Sequence, residues 1–167
     1  MRYLYKKTKL PASAHNKYWD QAVRYATQNG GKYNFLIDTR TEKSLPDDQQ
    51  FWDDLMEDSV DWGLLTYEQD WLNHQTLDFS PLLTDINLGR RWLHQMGNAA
   101  EKFNITVQYC MSLSRHVLQS VEIQAVTQVR VTNDYATNWQ YGGEQWRIGV
   151  SSIFAYSVGL APFKDVL

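Results

Sequence analysis

The stretch WGLLTYEQDWLNHQ, residues 62–75, decides how the chain is read. Gly63 stops the element before it. Leu64-Leu65-Thr66-Tyr67 then forms a short apolar run that reads as a strand, and the run ends in two acids, Glu68 and Asp70, set among aromatics and amides. Side chains alternate along an extended chain, so Thr66, Glu68 and Asp70 share one side while Tyr67 and Gln69 take the other. What the two acids are for depends on the element pattern around them.

Immediately upstream, Pro46 with Asp47 and Asp48 marks a helix start, since proline suits the first helical position and acids favour the positive end of the helix dipole. Phe51, Trp52, Leu55, Met56 and Val60 supply its apolar stripe. Before it, Tyr33-Asn34-Phe35-Leu36-Ile37 reads as a strand followed by a polar loop over residues 38–44. The first 30 residues are a poorly defined lead-in, with residues 17–27 expected as a helix stopped at Asn29-Gly30-Gly31.

Downstream, Ser80-Pro81 opens a helix whose apolar face, through Leu82, Ile86, Leu93, Met96 and Phe103, runs to about Asn104. A third strand is expected over residues 105–111, a short helical piece over 116–121, a fourth strand over 125–131, a helix over 144–156 and a fifth strand or loop over 159–166. Strands alternating with helices of this length imply parallel βαβ units. The fold class is therefore α/β, either a doubly wound sheet or part of a (β/α)8 TIM barrel. In both, functional groups gather at the carboxyl edge of the sheet, where Glu68 and Asp70 stand. No Gly-x-Gly-x-x-Gly turn or Walker lysine follows any strand, which removes nucleotide sites and leaves the barrel favoured. Neither a Gly-x-Ser-x-Gly elbow nor an HExxH helix is present.

Bulk properties narrow the classes further. The chain of 167 residues carries no linker or repeat and reads as a single domain, residues 1–167. A net charge of −3 gives no basic footprint, so no nucleic-acid partner is expected. No run of about 20 apolar residues occurs, so no membrane partner is expected either. Cys110 is the single cysteine, which excludes an internal disulfide and paired thiols, and neither a metal nor an organic cofactor is expected. The localisation stays open. An aromatic content of 14%, with seven tryptophans, offers sugar platforms as well as core.

The strand over 125–131 also ends in a polar cluster, Arg130-Val131-Thr132-Asn133-Asp134. Carboxylates delivered from two strand ends can flank one glycosidic bond, one attacking the sugar carbon and the other protonating the leaving oxygen. Arg130 would favour the ionised form of its neighbour. The competing reading treats Glu68, Asp70 and Asp134 as surface acids or helix caps.

Phe51-Trp52-Asp53-Asp54-Leu55 through Asp61-Trp62-Gly63-Leu64-Leu65-Thr66-Tyr67-Glu68, then Cys110-Met111-Ser112, then Arg130 to Tyr135, resemble in order the barrel core of the α-galactosidase and raffinose synthase superfamily. The resemblance covers about residues 51–167, with residues 33–38 as the preceding strand. It implies a fragment of a larger catalytic barrel, about its third to seventh strands, that acts on α-linked sugars with retention. Such a fragment has unpaired strand edges and a tendency to self-associate.

In that family one strand ends Lys-x-Asp, with a nucleophilic aspartate, and a later one ends Arg-x-x-x-Asp, with the acid/base. Arg130 and Asp134 satisfy the second pattern. The first is altered: Thr66 and Glu68 stand where lysine and aspartate belong, so the resemblance makes Glu68 the nucleophile, with Asp70, two residues on and on the same face, as the alternative. The resemblance makes Asp165 a sugar contact and Arg130 a substrate-binding residue, and Trp71, beside Asp70, is the expected sugar platform. The alternative it leaves is a catalytically inactive relative with a carbohydrate-binding or structural role.

Overall fold

The computed structural model describes residues 1–132 and 143–164, with side chains from Trp146 onward in the second stretch. In chain order the elements are α1 (Arg2–Thr8), β1 (Ala12–Asn16), β2 (Trp19–Asp20), β3 (Phe35–Asp38), β4 (Lys43–Pro46), α2 (Gln49–Val60) and β5 (Leu64–Gln69). They continue with α3 (Leu72–Thr76), α4 (Ser80–Thr84), α5 (Leu88–Lys102), β6 (Thr106–Tyr109), α6 (Ser114–Gln119), β7 (Val126–Arg130), α7 (Gly143–Ser157) and β8 (Ala161–Phe163). Among the described residues no helix is long and apolar enough to cross a membrane.

The class is α/β. A five-stranded, wholly parallel sheet is ordered β1-β5-β6-β7-β8, and a separate antiparallel sheet of three strands is ordered β2-β4-β3. The strand order of the large sheet follows the chain order without reversal. Right-handed crossovers that always step in the same direction bring the connecting helices to one face. Accordingly α2 and α5 pack on each other, α2 on β5 and α5 on β6.

Three expectations fail here. Residues 33–38 do hold a strand, but β3 pairs antiparallel with β4 in the small sheet, and the parallel strand before β5 is β1, inside the lead-in. Residues 17–27 form no α-helix. Trp19 and Asp20 pair with Ser44 and Lys43 instead, and the Gln75 side chain takes the Trp19 N–H at 2.8 Å, so the backbone there is committed to tertiary bonds. Pro46 closes β4, and Asp48 caps α2 by accepting from the Gln50 N–H. The long helix expected from Ser80 is broken into α4 and α5 around Asp85, which takes the Asn87 N–H and leaves Ile86 94% exposed instead of on the apolar face.

The core lies between the helices and one face of the large sheet. Tyr67 from β5, Val107 and Tyr109 from β6 and Val129 from β7 are buried against Trp52 and Met56 of α2 and Trp92, Leu93 and Met96 of α5. Trp19, Phe35 and Phe51 extend it beneath the small sheet through edge-to-face contacts, and Trp52 meets Tyr67 edge-on at 6.0 Å. Gly97 lets α5 approach the segment before β7, since a Cβ there would lie 2.1 Å from Ile123 Cγ2.

The other face of the same strands is polar. Register aligns His15, Glu68, Gln108 and Gln128 across four strands, with Thr66 beside Thr106 one step below, and all of these side chains are at least partly exposed. Parallel sheets are usually covered on both faces and read as continuous apolar runs. Here the alternation within β5, β6 and β7 separates a packed face from an open one.

Candidate active site at the carboxyl edge

One step beyond that polar row, each of three adjacent strands ends in a functional group on the open side. Asp70 follows β5, Cys110 follows β6, and Arg130 is the last residue of β7. His15, from the penultimate position of β1, reaches the same place, with Nε2 2.8 Å from Asp70 Oδ2. Glu68, Asp70 and Cys110 each bring one donor atom within 4.8 Å of the others.

Asp70 is the best-built member. It is 8% exposed, and its Oδ1 accepts the Trp71 backbone N–H at 2.7 Å while Oδ2 faces His15. Burial pushes this carboxyl up, but the Cys110 thiol, His15 and the Trp71 N–H together hold it below its ordinary value, so Asp70 is ionised at neutral pH. Burial and the neighbouring Asp70 push the Cys110 thiol well above its usual range and keep it protonated, so it serves Asp70 as a donor. The Arg130 guanidinium is close enough to act in the opposite direction on that thiol.

The backbone turns sharply at this edge. Trp71 has φ 55° and Met111 has φ 47°, left-handed conformations that cost a bulky residue energy and persist where the surroundings enforce them. The two turns are bonded to each other: the Leu72 N–H reaches Cys110 O at 3.4 Å and the Asn73 N–H reaches Met111 O at 2.9 Å. At Trp71 the turn aims the backbone N–H at the Asp70 carboxylate.

An aromatic group frames the opening. Trp71 stacks on Tyr18 with ring centroids 5.8 Å apart, His74 meets both rings edge-on, and Lys17 Nζ lies 5.1 Å over the indole. The small sheet holds this group in place. Gln75, fully buried, donates to Ser44 O at 2.9 Å and accepts from Trp19 N, while the buried Lys43 ammonium caps α3 by donating to His74 O and Leu77 O. Gln69 ties the underside, donating to Lys17 O at 2.6 Å. Burial and the nearby Lys43 charge lower the pKa of His74, leaving it neutral at pH 7.

Of the residues expected from sequence, Glu68, Asp70, Trp71 and Arg130 therefore lie at one edge. Asp134 and Asp165 lie outside the described residues. Thr66 sits lower on the open face, its hydroxyl 2.9 Å from that of Thr106. His116 is buried away from solvent, its Nδ1 accepting the Leu113 N–H at 3.0 Å. His15, Lys17 and Tyr18 were hidden from sequence reasoning because β1 has no apolar alternation to mark it.

Glu68, Asp70 and Cys110 form a donor set compatible in type with a divalent transition metal. The site's chemistry is that of a buried, oriented carboxylate beside a second carboxylate and a stacked aromatic surface. No family model, curated protein or solved structure matches the chain.

Proposed function

We propose that the chain is a glycoside hydrolase-like protein acting on α-linked sugars with retention, built as part of a (β/α)8 barrel. The observation that carries the reading is the pairing of Asp70, ionised and oriented on both oxygens, with the Tyr18–Trp71 stack beside it at the carboxyl edge of the sheet. A carboxylate next to an aromatic face is what a pyranose needs, since the ring's apolar C–H face packs on the indole while its anomeric carbon meets the nucleophile. Strand order without reversal and an open polar face both fit a sheet that curves around a lumen, with its functional groups in the uppermost layer.

In the proposed reaction an Asp70 oxygen attacks the anomeric carbon as the bond to the leaving oxygen breaks, and Asp134 gives that oxygen its proton. Water then attacks the anomeric carbon of the ester, passing a proton to Asp134 and releasing Asp70. Asp70 takes the nucleophile's role ahead of Glu68 because Glu68 belongs to the polar row below, in register with His15 and Gln108. The chemistry calls for no metal and no organic cofactor.

The second reading, a carbohydrate-binding relative without turnover, draws on Thr66. Where the resemblance would have lysine, a hydroxyl bonds to Thr106 and brings no positive charge to the lumen. Release of nitrophenol from nitrophenyl α-glycosides separates the two. Turnover that is lost in both Asp70→Asn and Asp134→Asn supports the enzyme, whereas sugar binding that survives in all forms with no turnover supports the binder.

A further inference from the structure

A cleft of about 160 Å3 opens where α4, α5 and α6 meet, and none of Glu68, Asp70, Trp71 or Cys110 lines it. Its volume is close to the roughly 150 Å3 in which a protein interior holds one benzene ring. Leu82, Ile86 and Leu93 give it apolar walls, and Gly89 leaves one side without a side chain. Ile86 stands 94% exposed at the break before α5, an apolar group that a ligand in the cleft would help to cover.

His116 and Trp92 supply the unsatisfied polarity of the wall. The imidazole is 3% exposed and the indole fully buried. His116 Nδ1 accepts the Leu113 N–H at 3.0 Å, so in the neutral ring the proton sits on Nε2, and burial lowers the pKa of the ring and keeps it neutral. Among the described residues neither that N–H nor the Trp92 indole N–H has an acceptor. A buried donor left unpaired is costly, and native structures rarely keep one without water or a ligand to take it. Indole N–H groups also go unpaired at Trp19 and Trp52 in the core, so the imidazole is the more telling of the two.

The charged rim already has partners. Asp85 accepts from the Asn87 N–H and from Arg91, while Arg90 pairs with Glu122, which Gln119 also reaches. Arg115 is exposed to solvent. What the cleft lacks is therefore a neutral acceptor and not a counter-charge.

We infer that this cleft is a second binding site, for a small uncharged ring compound whose ketone-type oxygen accepts the His116 Nε2–H while its carbons pack on Leu82, Ile86 and Leu93. The site is independent of the glycoside reading.

Titration of the full chain followed by nuclear magnetic resonance tests this with cyclohexanone, with methylenecyclohexane, which has the same shape and no acceptor, and with benzoate. Cyclohexanone should bind about 10-fold or more tighter than methylenecyclohexane and should shift the ring nitrogen signals of His116. A Cβ at Gly89 would meet only Leu82 Cδ2, at 3.5 Å, an ordinary contact, so Gly89→Leu should leave the protein folded, fill the cleft and abolish binding of both compounds. His116→Asn, whose side-chain oxygen can still take the Leu113 N–H, should remove the preference for the ketone; if that variant does not fold, the two compounds on the parent and on Gly89→Leu decide. Equal affinity for the two compounds, ketone binding untouched by Gly89→Leu, or benzoate bound tighter than cyclohexanone overturns the inference. Binding of none of them, with water alone serving His116, overturns it as well.

Discussion

The two faces of the parallel sheet are made by the same short strands and have opposite characters. Tyr67, Val107 and Tyr109 are sealed beneath α2 and α5, and Val129 is buried on the same face, whereas Glu68, Gln108 and Gln128, their immediate neighbours in sequence, stay partly exposed on the other side. The contrast comes from the pleat, which turns neighbouring residues of one strand to opposite sides of the sheet. One face supplies the packing that fixes the strands, and the fixed strands then hold Asp70, Cys110 and Arg130 side by side at their ends. Changes on the packed face should unfold the protein. Changes on the open face should alter what it does and leave it folded.

The sharpest way to break that division is Asp70→Asn. It keeps an acceptor for the Trp71 N–H, so thermal unfolding should stay near that of the parent while glycoside turnover falls by about 1,000-fold or more. An equal loss of fold and activity would mean the site residue belongs to the packing. The reciprocal test is Trp52→Ala on the packed face, where a fully buried indole touches Phe51 and Tyr67. Urea unfolding should show a loss of about 3–5 kcal/mol, with no change in the sugar preference of whatever protein remains folded.

A pH titration sharpens the comparison from the buried side. Burial holds His116 neutral and lowers its pKa from the ordinary 6.5 to about 3. A depressed histidine leaves stability intact above pH 6.5 and erodes it as pH falls toward 3, because the unfolded chain takes up the proton first. Stability measured by denaturant at each pH should decline across that window, and His116→Gln should flatten the decline. Asp38, whose pKa is lowered to about 2 chiefly by the Ser80 N–H, acts in a separate window: its contribution is present above the ordinary 3.8 and disappears as pH falls to about 2. The smallest effect is expected at Thr66→Ala. Removing the half-exposed bond to Thr106 should cost about 1 kcal/mol or less in urea unfolding.

Much of this division could be read in the sequence, and the exceptions have physical causes. β5, β6 and β7 announce themselves by alternating apolar and polar residues, and Glu68 and Asp70 are placed on one side by that alternation. β1, Ala-Ser-Ala-His-Asn, has small and polar side chains with no β-branched residue, so only its pairing with β5 makes it a strand, and His15 stays hidden with it. β2 and β4 depend on each other and on Gln75 in the same way, which is why a stretch with helical spacing around Trp19 forms none. Tyr18 and Lys17 reach the Trp71 platform through that distant pairing and could not be located from spacing. The break at Asp85 was also obscured, because the apolar positions on both sides of it keep a helical interval.

The account depends on Asp70 bonding covalently to a sugar. The most direct measurement is trapping with a 2-deoxy-2-fluoro α-glycosyl fluoride, which slows release of the ester, followed by peptide mass analysis. The account predicts one added fluorosugar on the peptide containing Asp70, absent from Asp70→Asn. Label found on Glu68 instead, or no label under conditions where glycoside turnover is measured, would contradict it.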